Sequence, residues 1–118
     1  MPFAPEDFYQ LASVLHKEAN IDSLESKRRT VVSRSYYSAF LGARDLSKVN
    51  TKSKTVHQDV IDYYFGKKNH LVVANWLKTL RDMRNKADYE LGIPCTAWTS
   101  GKSLKDASSV LKHLNIIP

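Results

Sequence analysis

Apolar residues recur at intervals of three and four along most of the chain, which is the spacing of amphipathic α-helices. The first such segment covers residues 6–20, and Pro5 with two following acids suits its start, because proline lacks only an N–H that has no partner there and acids favour the positive end. A second helix is predicted over residues 27–48. The core positions predicted for these two helices are Phe8, Leu11, Ala12, Leu15, Ala19, Val32, Tyr36, Phe40 and Ala43.

Three further helices are predicted, over residues 55–65, 69–91 and 103–114, with a loop at 93–101. Gly66 is placed to end the third helix as a left-handed cap, and Gly92 with Pro94 to end the fourth. No useful length of the chain alternates as a strand does. The pattern predicts an all-α fold, a four- to five-helix up-and-down bundle. The core positions predicted for the last three helices are Val56, Val60, Ile61, Tyr64, Phe65, Val73, Trp76, Leu77, Leu80, Met83, Ala87, Leu104, Ala107, Leu111 and Leu114.

Length and composition predict one folded domain spanning residues 1–118, since 118 residues enclose one core and leave no room for a second. Hydrophobic residues make up 42% and charged residues 25%, as in globular proteins. The only cysteine, Cys95, has no internal disulfide partner, and no apolar run approaches the roughly 20 residues that span a bilayer. The first residues do not resemble a secretion signal, so a cytoplasmic location is expected.

The net charge of +6 is unevenly spread along the chain. Residues 27–54 carry eight basic residues against one acid, a net +7, whereas residues 1–26 carry one lysine against five acids, a net −4. A local surplus of positive charge can attract a polyanion such as RNA. The alternative is a solvated basic face that serves solubility.

Several familiar chemistries have no support in the sequence. The four histidines (His16, His57, His70 and His113) have no partners at metal-ligand spacing, so neither a metal site nor a cofactor is expected. Glycine-rich phosphate loops, Gly-x-Ser-x-Gly turns and recognisable protease cysteines are missing from the sequence.

Two polar stretches stand out against the helical pattern: RTVVSRSYYSAFLGARDL in the second helix and LRDMRNKADYEL in the fourth. In the fourth helix, Arg84 and Asp88 are four apart and therefore meet on one face, and Asn85 pairs in the same way with Arg81 and Tyr89. This cluster can be a functional site. It can also be a surface ion pair worth about 0.2–0.5 kcal/mol, beside tyrosines that only pack.

The order and separation of SRSYYSAFLGARDL, KTVHQDVIDYYF and LKTLRDMRNKADYEL resemble the HEPN domain family of small helical proteins, over residues 27–91. The resemblance implies a four- or five-helix HEPN-like bundle that pairs as a homodimer and brings two helix-four motifs together in a basic cleft. Many members are metal-independent endoribonucleases that act as toxins or in phage defence. They are often paired with a small nucleotidyltransferase that restrains them.

In those members, an arginine, a polar residue and a histidine form the site, and the resemblance assigns the first two roles to Arg84 and Asn85. The histidine position holds Tyr89. An ordinary tyrosine has a pKa near 10, roughly three units above that of histidine, so it moves protons poorly near neutrality. Asp88, Tyr89 or His57 are the candidates for the proton role, and the residues expected to bind RNA or a nucleotide are Arg34, Tyr37, Arg44, His57 and Arg81.

Two hypotheses follow from this resemblance. In the first, the chain is a ribonuclease of the toxin or phage-defence kind, with Arg84 and Asn85 on the phosphate. In the second, it is a non-catalytic module that binds a nucleotide, RNA or a nucleotidyltransferase partner through the same surface.

Overall fold

Five α-helices make up the fold in the computed structural model, which describes residues 4–18 and 24–118. Within these residues there is no β-strand, and the predicted all-α helical bundle is confirmed. A short 3₁₀ turn at Lys68–His70 precedes the fourth helix. The helices are α1 (Pro5–Lys17), α2 (Leu24–Leu46), α3 (Val56–Phe65), α4 (Leu71–Tyr89) and α5 (Ala97–His113).

Helix α2 is the longest and lies at the centre, where it packs against α1, α4 and α5, while α3 packs mainly against α4. Its predicted apolar stripe is buried, because a 3.6-residue period keeps those side chains on the core face. The buried phenol of Tyr64 donates a 2.7 Å hydrogen bond to the carbonyl of Ala43, which satisfies a hydroxyl that burial would otherwise penalise. The buried core around α2 comprises Val31, Val32, Tyr36, Ala39, Phe40, Ala43, Val60, Ile61, Tyr64, Val73, Ala74, Leu77, Leu80, Ala107, Val110 and Leu111.

Helix α5 begins at Ala97, so the predicted loop over 93–101 is confirmed only for residues 93–96, and the predicted start at 103 was wrong. Thr96 is the reason, because its side-chain oxygen accepts a 3.2 Å hydrogen bond from the amide of Thr99 and so caps the first turn. Packing of α5 against α2 and α1 then favours helix through Gly101 despite the low helix propensity of glycine.

Other helix boundaries also differ from the predicted ones. Helix α2 begins at Leu24, three residues before the predicted start, and α4 begins at Leu71 and ends at Tyr89. Gly66 does end α3, but its φ of −78° is right-handed, so the left-handed cap was wrong. Helix α1 ends at Lys17, and the predicted core position Ala19 lies outside the described residues.

Two predicted core residues lie on the surface instead. Leu11 is 50% exposed and Phe65 is 42% exposed. Leu11 lies next to the fully buried Ala12, and Phe65 is the last residue of α3, directly after Tyr64. Neighbouring residues on a helix point about 100° apart, so one member of each apolar pair is turned away from the core.

The end of α4 is fixed by Arg29 of α2. Its guanidinium donates to the carbonyls of Ala87 (2.8 Å) and Ile93 (2.5 Å) and forms a 2.9 Å ion pair with Glu25. Glu25 also accepts the amide of Cys95 at 2.9 Å, and this hydrogen bond is the main cause that lowers the pKa of the Glu25 carboxyl. Carbonyls in the last turn of a helix lack intrahelical partners, so Arg29 acts as a cap for the segment that carries the candidate site.

Candidate functional site

Side chains from three helices converge where α2, α3 and α4 meet, among them most of those predicted to form the site. Arg84 projects from the last two turns of α4, Tyr36 and Tyr37 from the middle of α2, and His57 from the first turn of α3. Helical spacing accounts for the local part of this arrangement, since Arg84 and Asp88 lie one turn apart. The approach of His57 depends on the packing of α3 against its neighbours.

Arg84 is the centre of the cluster. Its Nε lies 2.9 Å from Oδ2 of Asp88, and its Nη2 donates to the hydroxyl of Tyr37 at 2.8 Å. Weaker contacts run from Nη1 to Oδ1 of Asn85 (3.2 Å) and from Nη2 to the hydroxyl of Tyr89 (3.4 Å). The Nε–H is poorly aligned with Asp88, so this contact is an ion pair without a well-formed hydrogen bond. The predicted i,i+4 pair of Arg84 and Asp88 is confirmed.

Three tyrosine rings surround the same guanidinium. The Arg84 carbon Cζ lies 5.2 Å from the ring centre of Tyr37, 5.4 Å from that of Tyr89 and 6.0 Å from that of Tyr36. Cations within about 6 Å of an aromatic face are attracted by its quadrupole. The Arg84 side chain is 16% exposed, so the rings hold a nearly buried positive charge.

His57 lies beside this cationic group. Its imidazole stacks on Phe40 with ring centres 4.2 Å apart, and its Nδ1 shares a hydrogen bond with the hydroxyl of Tyr36. Burial, followed by the charges of Arg81 and Arg84, lowers the pKa of the imidazole below its ordinary value of 6.5. His57 is therefore largely neutral at pH 7, the form that can accept a proton.

Arg81 and Tyr36 complete the surroundings of His57. Arg81 lies one turn before Asn85 on α4 and donates a 3.2 Å hydrogen bond to the side-chain oxygen of Gln58 on α3. Burial raises the pKa of the Tyr36 hydroxyl well above its usual value, so that group stays protonated. The hydroxyl can donate to Nδ1 or accept from it, and the hydrogen bond therefore persists when the imidazole gains or loses a proton.

Two predicted site residues lie elsewhere. Arg34 packs over the ring of Phe8 on α1 at 5.5 Å, and Arg44 forms a 3.0 Å ion pair with its neighbour Asp45. Some charged side chains of the basic segment 27–54 also make structural contacts within the bundle. Lys27, for example, donates a 3.2 Å hydrogen bond to the carbonyl of His16.

Two residues that contact His57, Tyr36 and Phe40, were missing from the predicted site. Both were assigned to the core stripe of α2, and both are buried. Their i,i+4 spacing puts them on one face, but only the position of α3 shows that a histidine rests on that face.

The cluster combines two guanidiniums, a neutral imidazole and tyrosine hydroxyls at the junction of three helices. Such groups can hold an anionic oxygen and accept or donate a proton. Within residues 4–18 and 24–118, no group of three or more histidine, cysteine or acidic side chains is arranged to hold a metal ion. In the same residues, no helix is long and apolar enough to cross a bilayer.

Comparison with known proteins gives one informative match. No family model matches the chain, and no solved structure matches it. An uncharacterized protein of Methanocaldococcus jannaschii, MJ0628, is 32% identical over 123 aligned positions, which cover 88% of this chain and 71% of the relative. This identity extends over most of both sequences, and the chain therefore belongs to the same family as MJ0628.

Proposed function

We propose that the chain is a HEPN-like domain that binds RNA at the Arg84 cluster and cleaves it without a metal ion. The observation that carries the proposal is the neutral imidazole of His57 beside the two guanidiniums of Arg81 and Arg84. A histidine is the residue that the helix-four motif lacks at Tyr89. His57 supplies from α3 the proton acceptor that α4 does not carry.

The reaction that suits these groups is transfer within the RNA backbone. His57 takes the proton of the ribose 2′-hydroxyl, the 2′-oxygen bonds to phosphorus, and the bond from phosphorus to the 5′-oxygen breaks. Arg81 and Arg84 offset the negative charge that grows on the phosphate oxygens. Tyr89 is 68% exposed and its hydroxyl lies against Arg84, so we assign it the proton donor to the leaving 5′-oxygen. The products are a 2′,3′-cyclic phosphate and a free 5′-hydroxyl.

In this scheme, Asp88 has a holding role. Its carboxylate forms a 2.9 Å ion pair with the guanidinium of Arg84 and so orients the arginine. Asn85, Tyr37 and Tyr36 hold Arg84 and His57 from the other sides. Arg34 and Arg44 lie outside the cluster, and in this scheme they attract the RNA backbone only by their positive charge.

The second candidate is a module that binds RNA or a nucleotide without cleaving it. It is favoured by the contacts of Arg84, whose donors are already engaged by Tyr37, Asn85 and Tyr89. These contacts leave few of the five N–H donors of the guanidinium for a phosphate unless a partner moves. In a binding module, the tyrosine rings around Arg84 offer stacking surfaces to bases.

The biological setting proposed here follows from the family resemblance. A homodimer would bring two Arg84 clusters together, and a nucleotidyltransferase partner would restrain a toxin or phage-defence ribonuclease in the cytoplasm. Sedimentation of the purified chain tests the dimer. Growth arrest on expression, relieved by Arg84→Ala, tests the toxic activity.

The deciding experiment incubates purified protein with mixed cellular RNA in EDTA. The parent should cleave RNA, and Arg84→Ala should not. His113→Ala is the matched control, because His113 lies at the end of α5 and pairs with His70, away from this cluster. Circular dichroism confirms that each variant is folded. Intact RNA with the parent protein, together with retained RNA binding that Arg84→Ala abolishes, would replace the ribonuclease by the binding module.

A further inference from the structure

A hollow of about 280 Å³ opens between the end of α4 and the start of α5. Its α4 wall is formed by Met83, Lys86 and Ala87, which lie on a different face of the helix from Arg84 and Asp88. The other walls are mainly apolar, from Ile93, Pro94, Cys95 and Trp98. Burial raises the pKa of the Cys95 thiol, so this wall stays uncharged near neutrality. The hollow is therefore separate from the Arg84 cluster and has a different chemistry.

Large apolar side chains that line this hollow are exposed. Trp98 is 73% exposed and Ile93 is 49% exposed, and Leu91, two residues before Ile93 in the chain, is 73% exposed. Trp98 also borders a second hollow, which it shares with Gly101, Lys102 and Lys105. We call the two hollows and the indole between them the Trp98 surface. Contiguous exposed apolar side chains with a polar rim mark interaction sites in folded proteins.

The charges around the Trp98 surface have one sign. Four cationic residues line the two hollows, Arg29 and Lys86 in the first and Lys102 and Lys105 in the second, and no acidic residue lines either. Ion pairs with Glu25 and Asp106 offset Arg29 and Lys102. In the described part of the chain, Lys86 and Lys105 have no ion-pair partner.

Size and charge together restrict what can bind there. Sites that enclose small molecules measure roughly 300–1,000 Å³ and bury most of the ligand. The first hollow, of about 280 Å³, lies just below that range, and the second, of about 490 Å³, is an open depression lined only by Trp98, Gly101, Lys102 and Lys105. Both therefore suit inserted side chains better than an enclosed molecule. A second copy of this chain would bring the lysines of both copies together, and like charges oppose such pairing. RNA would gain one stacking ring and two free lysines, but nothing from walls made of Met83, Ile93 and Pro94.

We infer that the Trp98 surface binds a segment of another protein that inserts a large apolar side chain into the hollow beside Trp98 and flanks it with aspartate or glutamate. The apolar anchor covers Met83, Ile93 and Trp98, which water now contacts. The acids face Lys86 and Lys105 on either side of the indole. An amphipathic helix meets both needs, with its anchors at intervals of three or four residues. The inference does not depend on the ribonuclease proposal.

The test selects, from a displayed library of random peptides, those that bind the full chain. Peptides that also bind the Trp98→Ala variant are then removed. The surviving peptides should share a large apolar residue with nearby acids. In titrations with one labelled survivor, Trp98→Ala should weaken binding at least about 30-fold, as expected for a central aromatic anchor. Lys86→Glu should weaken it about tenfold.

Matched variants separate this result from a general loss of structure or charge. Phe65→Ala removes another exposed aromatic side chain, and Lys78→Glu reverses another exposed lysine of α4. Both should bind the peptide as the parent does. Survivors without an acidic bias, survivors that tolerate Lys86→Glu, or no survivors at all would overturn the inference. A dimer that Trp98→Ala dissolves, or an RNA oligonucleotide that binds through Trp98 in place of every peptide, would also overturn it.

Discussion

Removal of Arg29 should destabilise the protein far more than its place in a basic segment suggests. The guanidinium is 14% exposed and donates to two carbonyls beyond its own helix, those of Ala87 and Ile93. Hydrogen bonds from a charged donor contribute about 1.5–3 kcal/mol each, and water can reach the freed carbonyls in part. We expect Arg29→Ala to lower the free energy of unfolding by about 2–4 kcal/mol, or Tm by roughly 10 °C for a domain of this size.

Urea denaturation monitored by circular dichroism measures this change, with Arg44→Ala as the matched control. Arg44 lies on the same helix, but its ion pair with Asp45 is exposed and should contribute about 0–1 kcal/mol. Arg29→Lys should recover less than half of the loss, because an ammonium cannot reach both carbonyls as a planar fork does. If Arg29→Ala loses no more stability than Arg44→Ala, Arg29 does not stabilise the end of α4 as a cap.

Three further predictions concern Leu80, Tyr64 and His57. Leu80→Ala empties a fully buried position and should cost about 2–5 kcal/mol in urea denaturation, whereas a cost under 1 kcal/mol would contradict the described core. Tyr64→Phe removes the 2.7 Å hydrogen bond to Ala43 and should cost about 1 kcal/mol, and an unchanged midpoint would contradict it. In the folded protein the pKa of His57 lies below 6.5, its ordinary value in the unfolded chain. Between these two pKa values the folded state binds fewer protons than the unfolded state. Stability that is present above pH 6.5 should therefore be lost as the pH falls through the lowered pKa. His57→Asn should flatten this part of the pH profile, and an identical slope in the variant would assign the titration to another group.

The sequence predicts best what depends on short-range periodicity. The stripe of α2 was predicted because core residues recur every three or four positions, and the Arg84–Asp88 pair because residues four apart share a helix face. The start of α5 was missed because Gly101 and neighbouring polar residues suggested a loop, although Thr96 carried a cap signal.

Contacts between distant segments could not be derived from spacing. Arg29 looked like one more charge of a basic stretch, and it meets Ile93 only because α2 crosses the end of α4. His57 could be placed near Arg84 only as an alternative, since its position depends on how α3 packs. Periodicity fixes which way a side chain points on its own helix, whereas tertiary packing decides what it meets.

In the proposed reaction, His57 accepts a proton during RNA cleavage beside Arg84. The most direct measurement compares single-turnover cleavage by the parent and by His57→Ala, with and without added imidazole. Loss of a general base lowers rates by about 10²–10⁴-fold, and free imidazole should restore part of the rate in His57→Ala but none in Arg84→Ala. Cleavage by His57→Ala at the parent rate, or a loss that imidazole leaves unchanged in a folded variant that still binds RNA, would rule out His57 as the general base.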